Sequence, residues 1–167
     1  MKVIVVINGT GGCGKDTFIS YVEKYAKVFN FSSVDKVKEI ATMIGWTGKK
    51  EEKDRKFLSD LKKLTTDYND MSFNSIREAV DKFSCNDDEI MFIHIREPEE
   101  IERVVKIFGA KTLLVRRSDI KIITSNYSDA SIENYNYDYI VNNTSLKKLS
   151  SEAKKFVNDL KKLTDNI

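Results

Sequence analysis

The stretch GTGGCGKDT, residues 9–17, lies between an apolar β-branched run, Val3 to Ile7, and an amphipathic segment that opens at Lys15. Gly9, Gly14 and Lys15 satisfy the pattern G-x-x-x-x-G-K, and they do so with a strand before and a helix after, the context its mechanism requires. Glycines at 9, 11, 12 and 14 let successive backbone N–H groups turn toward one anion, and the positive end of the following helix adds to them. Lys15 supplies a mobile point charge for β- and γ-phosphates. Residues 9–17 (Gly9, Thr10, Gly11, Gly12, Cys13, Gly14, Lys15, Asp16 and Thr17) are therefore the expected phosphate-binding set. A loop of this kind demands a sheet that presents the carboxyl ends of its strands to a ligand.

The rest of the chain supplies the parts for such a sheet. Apolar runs at Val3 to Ile7, Ile90 to Ile95, Lys111 to Val115 and Tyr137 to Val141 predict buried strands, with a shorter one near Asn30 to Ser33. Helical patterns fall between them, at Lys15 to Val28, Val34 to Ile44, Glu51 to Tyr68, Phe73 to Phe83, Pro98 to Phe108 and from Ser145 onward. Pro98 suits a first helical position, Glu99 and Glu100 complement its positive end, and Gly109 supplies a left-handed stop. In the last helix Leu146, Leu149, Ala153, Phe156, Val157, Leu160 and Leu163 form one stripe that should cover a face of the sheet. Buried strands alternating with helices predict a doubly wound parallel α/β sheet in a single domain, residues 1–167.

Charge and cysteine content narrow the function. Lys and Arg number 28 against 26 Asp and Glu, a near balance that argues against a nucleic-acid or membrane surface. The alternating charges of TGKKEEKDRKFLSDLKKL predict a salt-laced exposed helix, not a basic arm. The opening apolar run is too short for a signal-peptide core or a membrane span, and the 2 cysteines make no disulfide framework, so a cytoplasmic protein is expected. Cys13, inside the loop, is a candidate for a lowered pKa beside a helix terminus, or a filler.

GKDT after a short first strand resembles the P-loop nucleoside monophosphate kinases, the phage-type deoxynucleoside monophosphate kinases above all, and more distantly the phosphomevalonate kinases. The resemblance implies a three-layer P-loop NTPase fold, nucleoside/nucleotide kinase-like, with a parallel sheet and helices on both faces. It implies ATP as donor, Mg²⁺ as cofactor and a small-molecule nucleotide as acceptor. Asp16 stands where most such loops carry a hydroxyl; the resemblance makes it a carboxylate that holds Mg²⁺ with Thr17, and the residues alone also allow a solvated first-turn acid.

Weaker pieces extend the likeness. SSVDKVKEIATMIGWTG resembles the segment after the second strand, which places Asp35 and Lys38 against the acceptor, although an amphipathic helix explains both equally. IMFIHIREPEEIERVVKIFGAKTLLVRR is similar to the family's third strand, helix and fourth strand, and implies that Arg96 with Glu97 meets the acceptor phosphate. SDASIENYNYDYIVNNTSLKKL resembles the tail of a lid, the last strand and its Asn-containing turn, so Asn142, Asn143 and Ser145 inherit a place beside the donor adenine. Arg116 and Arg117 precede the expected lid, about 118–135, and are the candidates to screen the moving phosphoryl group; a solvated strand end is the plain alternative.

One departure stands out. Family members carry an aspartate two residues before the strand-end arginine, and this chain has His94, its only histidine. A neutral imidazole does not replace a hard oxygen ligand for Mg²⁺. His94 is either a packed, hydrogen-bonded strand-end residue or a substrate contact or proton carrier. The expected activity is ATP-dependent phosphorylation of a (deoxy)nucleoside monophosphate. The alternatives are an ATP-binding module with weak or no transfer, or a kinase acting on phosphomevalonate or dephospho-coenzyme A.

Overall fold

The computed structural model describes residues 1–49, 51–117, 132 and 135–165. Its strands are β1 (Val3–Asn8), β2 (Val28–Ser32), β3 (Ile90–His94), β4 (Lys111–Arg116) and β5 (Tyr139–Asn142). The helices are α1 (Lys15–Val22), α2 (Asp35–Met43), α3 (Glu52–Asn69), α4 (Met71–Cys85), α5 (Pro98–Phe108) and α6 (Leu146–Asp165). The strands form one five-stranded parallel sheet in the order β2-β3-β1-β4-β5. The chain builds outward from β1 on one side with β3 and β2 and on the other with β4 and β5, so the order reverses at β1. In sheets of this kind the reversal leaves a crevice at the carboxyl end of the central strand. That end is where the glycine loop begins.

Period-two alternation sends the residues of β1 to opposite faces. Val5 and Ile7 join Phe92, Leu113, Val115 and Val141 in a core closed by Phe18, Ile19 and Val22 of α1 and by Leu149, Ala153, Phe156, Val157 and Leu160 of α6. Phe156 is central to it, with ring centroids 5.6 Å from Phe18, 6.2 Å from Phe92 and 5.0 Å from Tyr139. On the other face α5 packs against β1 and buries Ile101 and Val104. Helices therefore lie on both faces, as three layers require.

Local chemistry sets the helix ends. Pro98 opens α5, and Gly109 closes it in the left-handed region at φ 64°. At the start of α3 the Glu51 and Asp54 side chains and backbones form a reciprocal capping box. Ser145 Oγ accepts from the Lys148 N–H at 3.2 Å to open α6. Leu146 and Leu163, the two ends of its expected stripe, are exposed.

The helix expected over Lys15 to Val28 is corrected: α1 stops at Val22, and Val28 begins β2. The Lys27 backbone is taken up by the start of β3: its carbonyl accepts from the Glu89 and Ile90 amides, and its own N–H donates to Glu89 Oε2 at 3.1 Å. That tertiary pairing overrides the helix propensity of the preceding residues. The last strand begins at Tyr139 instead of Tyr137, because Tyr137 turns its hydroxyl inward while Asp138 Oδ2 accepts from the Thr112 N–H and Oγ1 at 2.8 and 2.9 Å.

The chain divides into two compact units, one of residues 1–30 with 86–167 and one of residues 31–85. The first holds the glycine loop with most of the sheet, and the second holds α2, α3 and α4. Within the second unit Val37, Ala41, Phe73, Ile76, Ala79, Val80 and Phe83 are buried. Phe73 belongs to this core, whereas Tyr68 is 86% exposed. The Trp46 indole N–H donates to the Lys49 carbonyl at 3.2 Å.

Candidate functional site

The glycine loop leaves β1 at Asn8 and enters α1 at Lys15. Gly9 adopts φ 142° and Gly14 φ 103°, conformations that side chains rarely tolerate. Space forbids a side chain as well: a Cβ on Gly9 would lie 2.3 Å from the Val115 carbonyl oxygen and 2.7 Å from Cys13 Sγ. Inside the loop the Cys13 N–H donates to the Thr10 carbonyl at 3.2 Å. Gly14 is the N-cap of α1 and has no side chain with which to cap it. The first N–H groups of a helix have no partner within it, so α1 presents its positive end at the loop.

Lys15 folds back over this loop. Its Nζ donates to the Gly9 carbonyl at 2.5 Å and the Thr10 carbonyl at 3.1 Å, and lies 3.8 Å from Cys13 Sγ. The ammonium therefore sits among the loop backbone atoms, where it can exchange carbonyl partners for phosphate oxygens. Cys13 is fully buried, and desolvation pushes its thiol up despite the lowering influence of Lys15. Of the two readings of Cys13 the filler stands and the acidified thiol does not: burial outweighs the helix terminus and the lysine.

Asp16 is exposed in the first turn of α1, with Thr17 half-buried beside it. Among the described residues no group of three or more His, Cys, Asp or Glu gathers as a metal site. Mg²⁺ does not need one, since it is bound through one or two protein oxygens plus phosphates and waters. A carboxylate and a hydroxyl at the mouth of a phosphate loop fit that demand.

Asn8 was not singled out from the sequence, yet it links the strand ends. It is 1% exposed. Its Oδ1 accepts from the Gly9 N–H at 2.8 Å, and its Nδ2 donates to Tyr137 Oη at 2.8 Å and to the Arg96 carbonyl at 3.4 Å. Tyr137 Oη donates onward to the Ile132 carbonyl at 2.9 Å. The available signal was a polar residue closing an otherwise apolar buried strand. The backbone of Arg96 is thus tied to the base of the loop.

Arg96 is exposed and Glu97 half-buried just past β3, at the carboxyl edge of the sheet. At the same edge Arg116 ends β4 in register with Asn142 of β5, and Arg117 follows, exposed. His94 ends β3 opposite Ile7, and its Nε2 lies 2.9 Å from Asn30 Oδ1. Asn143 is buried, with Nδ2 donating to the Cys13 carbonyl at 2.9 Å, whereas Asn142 is exposed. The structure thus brings Lys15, Asp16, Thr17, Arg96, Glu97, Arg116, Arg117, Asn142 and Asn143 to one edge of the sheet. Asp35 and Lys38 belong to the other unit, where they pair with each other at 3.2 Å and Asp35 Oδ2 accepts from the Ser32 N–H. Of the expected lid, only Ile132 and Tyr135 fall among the described residues.

Among the solved structures that match, two align over nearly the whole chain. TT1252 from Thermus thermophilus aligns at a TM-score of 0.57 with 15% identity, over 95% of this chain and 97% of that one. The shikimate kinase from Bacteroides thetaiotaomicron aligns at 0.50 with 15% identity, over 95% and 98%. With the strand order and the loop at the end of β1, these likenesses decide the architecture. The fold is that of the P-loop NTPases. At this identity the likeness speaks for fold alone. No protein-family model matches the sequence, and no curated protein does. Among the described residues no helix is long and apolar enough to cross a membrane.

Proposed function

We propose that this protein is a P-loop phosphotransferase that moves the γ-phosphoryl group of ATP onto a small phosphorylated acceptor, a (deoxy)nucleoside monophosphate. The observation that carries the reading is the loop itself. Glycines with positive φ lead into an N-terminus capped by glycine, and the Lys15 ammonium rests on the Gly9 and Thr10 carbonyls.

On this reading residues 9–17 hold the triphosphate, and Lys15 moves from loop carbonyls to phosphate oxygens. Asp16 and Thr17 would hold Mg²⁺, which would supply neutralising charge to the bound triphosphate. Arg96 and Glu97 orient the acceptor, with the arginine forking onto its phosphate. Asp35 and Lys38 serve the acceptor nucleotide, as the family resemblance implies, and Asn142 with Asn143 borders the donor side. Arg116 or Arg117 screens the charge that spreads over the transferring group. The chemistry is positioning and electrostatics, with no covalent enzyme intermediate. We place the protein in the cytoplasm, acting on small molecules.

The test is ATP consumption with Mg²⁺ against all common ribo- and deoxynucleoside monophosphates, with Lys15→Ala as control. One monophosphate should support turnover, and removing the lysine should lower kcat/KM by about 10²–10³. Turnover left undiminished by the substitution sinks the assignment. His94 favours a second reading. It stands where the resemblance places an acid, and its Nε2 lies against Asn30, so an ATP-binding module with weak transfer predicts saturable ATP binding and no product. Product from phosphomevalonate or dephospho-coenzyme A alone would keep the transferase and change the acceptor.

A further inference from the structure

The turn after β5 meets the glycine loop through one side chain, that of Asn143. It is 9% exposed, and its Nδ2 donates to the Cys13 carbonyl at 2.9 Å. Its own backbone N–H donates to the Arg116 carbonyl at 2.7 Å. A Cβ on Gly14 would lie 2.5 Å from the same Nδ2, so the amide fills the space that glycine leaves. Leu149 of α6 closes the other side of that space, 3.6 Å from the same Cβ position.

We propose that Asn143 is a positioning residue for the donor loop, acting through its backbone and not by touching the nucleotide base. A trans peptide holds its C=O and N–H in opposite directions. Pinning the Cys13 carbonyl toward Asn143 therefore turns the Gly14 N–H the other way and fixes the plane from which α1 starts. The same residue grips the end of β4 at Arg116, so the loop and the strand carrying that arginine share one anchor. The reach is specific to an amide: a carboxylate of equal size would set oxygen lone pairs against the carbonyl, and a hydroxyl is too short to bridge the gap. The inference rests on the reading of the loop as the ATP site only for its effect on binding; the anchoring of the loop stands apart from it.

The experiment is amide hydrogen exchange on the whole chain without nucleotide, native and Asn143→Asp, followed by ATP titration of both. The reporters are the Cys13 N–H, bonded to Thr10, and the Phe18 N–H, bonded to Gly14, with Leu149, bonded to Ser145, as control. Leaving a buried carbonyl unpaired exposes the loop to opening, so the two reporters should exchange about tenfold faster while Leu149 stays within about threefold. ATP should bind about tenfold more weakly. Unchanged reporters overturn the proposal, and so does an even acceleration over the whole chain, which would make Asn143 a stabiliser of the fold alone. Asn143→Ser repeats the measurement if the aspartate variant does not fold; failure of both to fold also overturns it. A native chain that binds no ATP removes the proposed function, while the exchange comparison still decides the anchor.

Discussion

The two compact units are held in different ways. Around the glycine loop, residues distant in sequence are tied by buried polar contacts: Asn8 to Tyr137, Asn143 to Cys13, and the Asn143 N–H to Arg116. In the helical unit α3 buries none of its residues, and an ion pair such as that of Lys56 with Asp60 lies on solvated surface. Exposed pairs contribute roughly 0–1 kcal/mol each, whereas an orphaned buried polar group costs about 1–3 kcal/mol. The loop edge is therefore specified by contacts that cannot be removed singly without cost. The outer face of α3 tolerates change, and sequence constraint should follow the same division.

Two substitutions test the unit that holds the glycine loop at its largest effects. Phe156→Ala removes the ring shared by Phe18, Phe92 and Tyr139 from a closed core and should cost about 3–5 kcal/mol in urea unfolding. A loss below about 1 kcal/mol would mean that α6 does not pack on the sheet as described. Gly9→Ala should cost about 3 kcal/mol, since it combines a positive φ with a Cβ 2.3 Å from the Val115 carbonyl. A variant as stable as the native chain would break the account of the loop, because only backbone movement at β4 could admit the methyl.

What could be seen in the sequence follows the range of the interactions. The glycine loop is local, so its glycines, Lys15 and the flanking strand and helix were legible from spacing. The Pro98 and Gly109 punctuation of α5 was legible for the same reason. The end of α1 was not, because the backbone of Lys27, just before β2, is bonded to Glu89 and Ile90, far along the chain. Asn8 could be named as a polar residue closing an apolar strand and Asn143 through the family resemblance, but their partners Tyr137 and Cys13 lie 129 and 130 positions away. The same holds for Cys13: a helix terminus and a lysine argue for a lowered pKa, and only the packed loop shows that burial wins.

The two cysteines carry the comparison into solution, one in each unit. Cys85 is exposed at the end of α4, and Cys13 is buried in the loop with its thiol pushed up by desolvation. A neutral-pH thiol reagent should modify Cys85 at least about a hundredfold faster, since Cys13 reacts only through opening of the loop. Because the folded thiol titrates higher than the unfolded one, its protonated form at neutral pH is the one the fold accommodates. Stability falls as the solution turns alkaline, first through the unfolded value and then through the raised folded one. Equal labelling rates would place the loop among the mobile parts of the chain and erase the contrast.

The smallest effects belong to α3, and they decide whether its outer face is truly solvated. Leu64 is 67% exposed, and Lys56 lies against Asp60 on open surface, so Leu64→Ser and Lys56→Ala should each change unfolding free energy by no more than about 0.5 kcal/mol. The apolar substitution is the sharper of the two, because an exposed leucine has little transfer energy to lose whereas a covered one has about 1.5–3 kcal/mol. A Leu64→Ser loss near that upper range, at protein concentrations where Lys56→Ala remains silent, would mean that something packs on α3 in solution. Repeating the measurement at tenfold lower concentration separates the causes: a loss that fades on dilution belongs to self-association, and one that persists belongs to the fold of the unit itself.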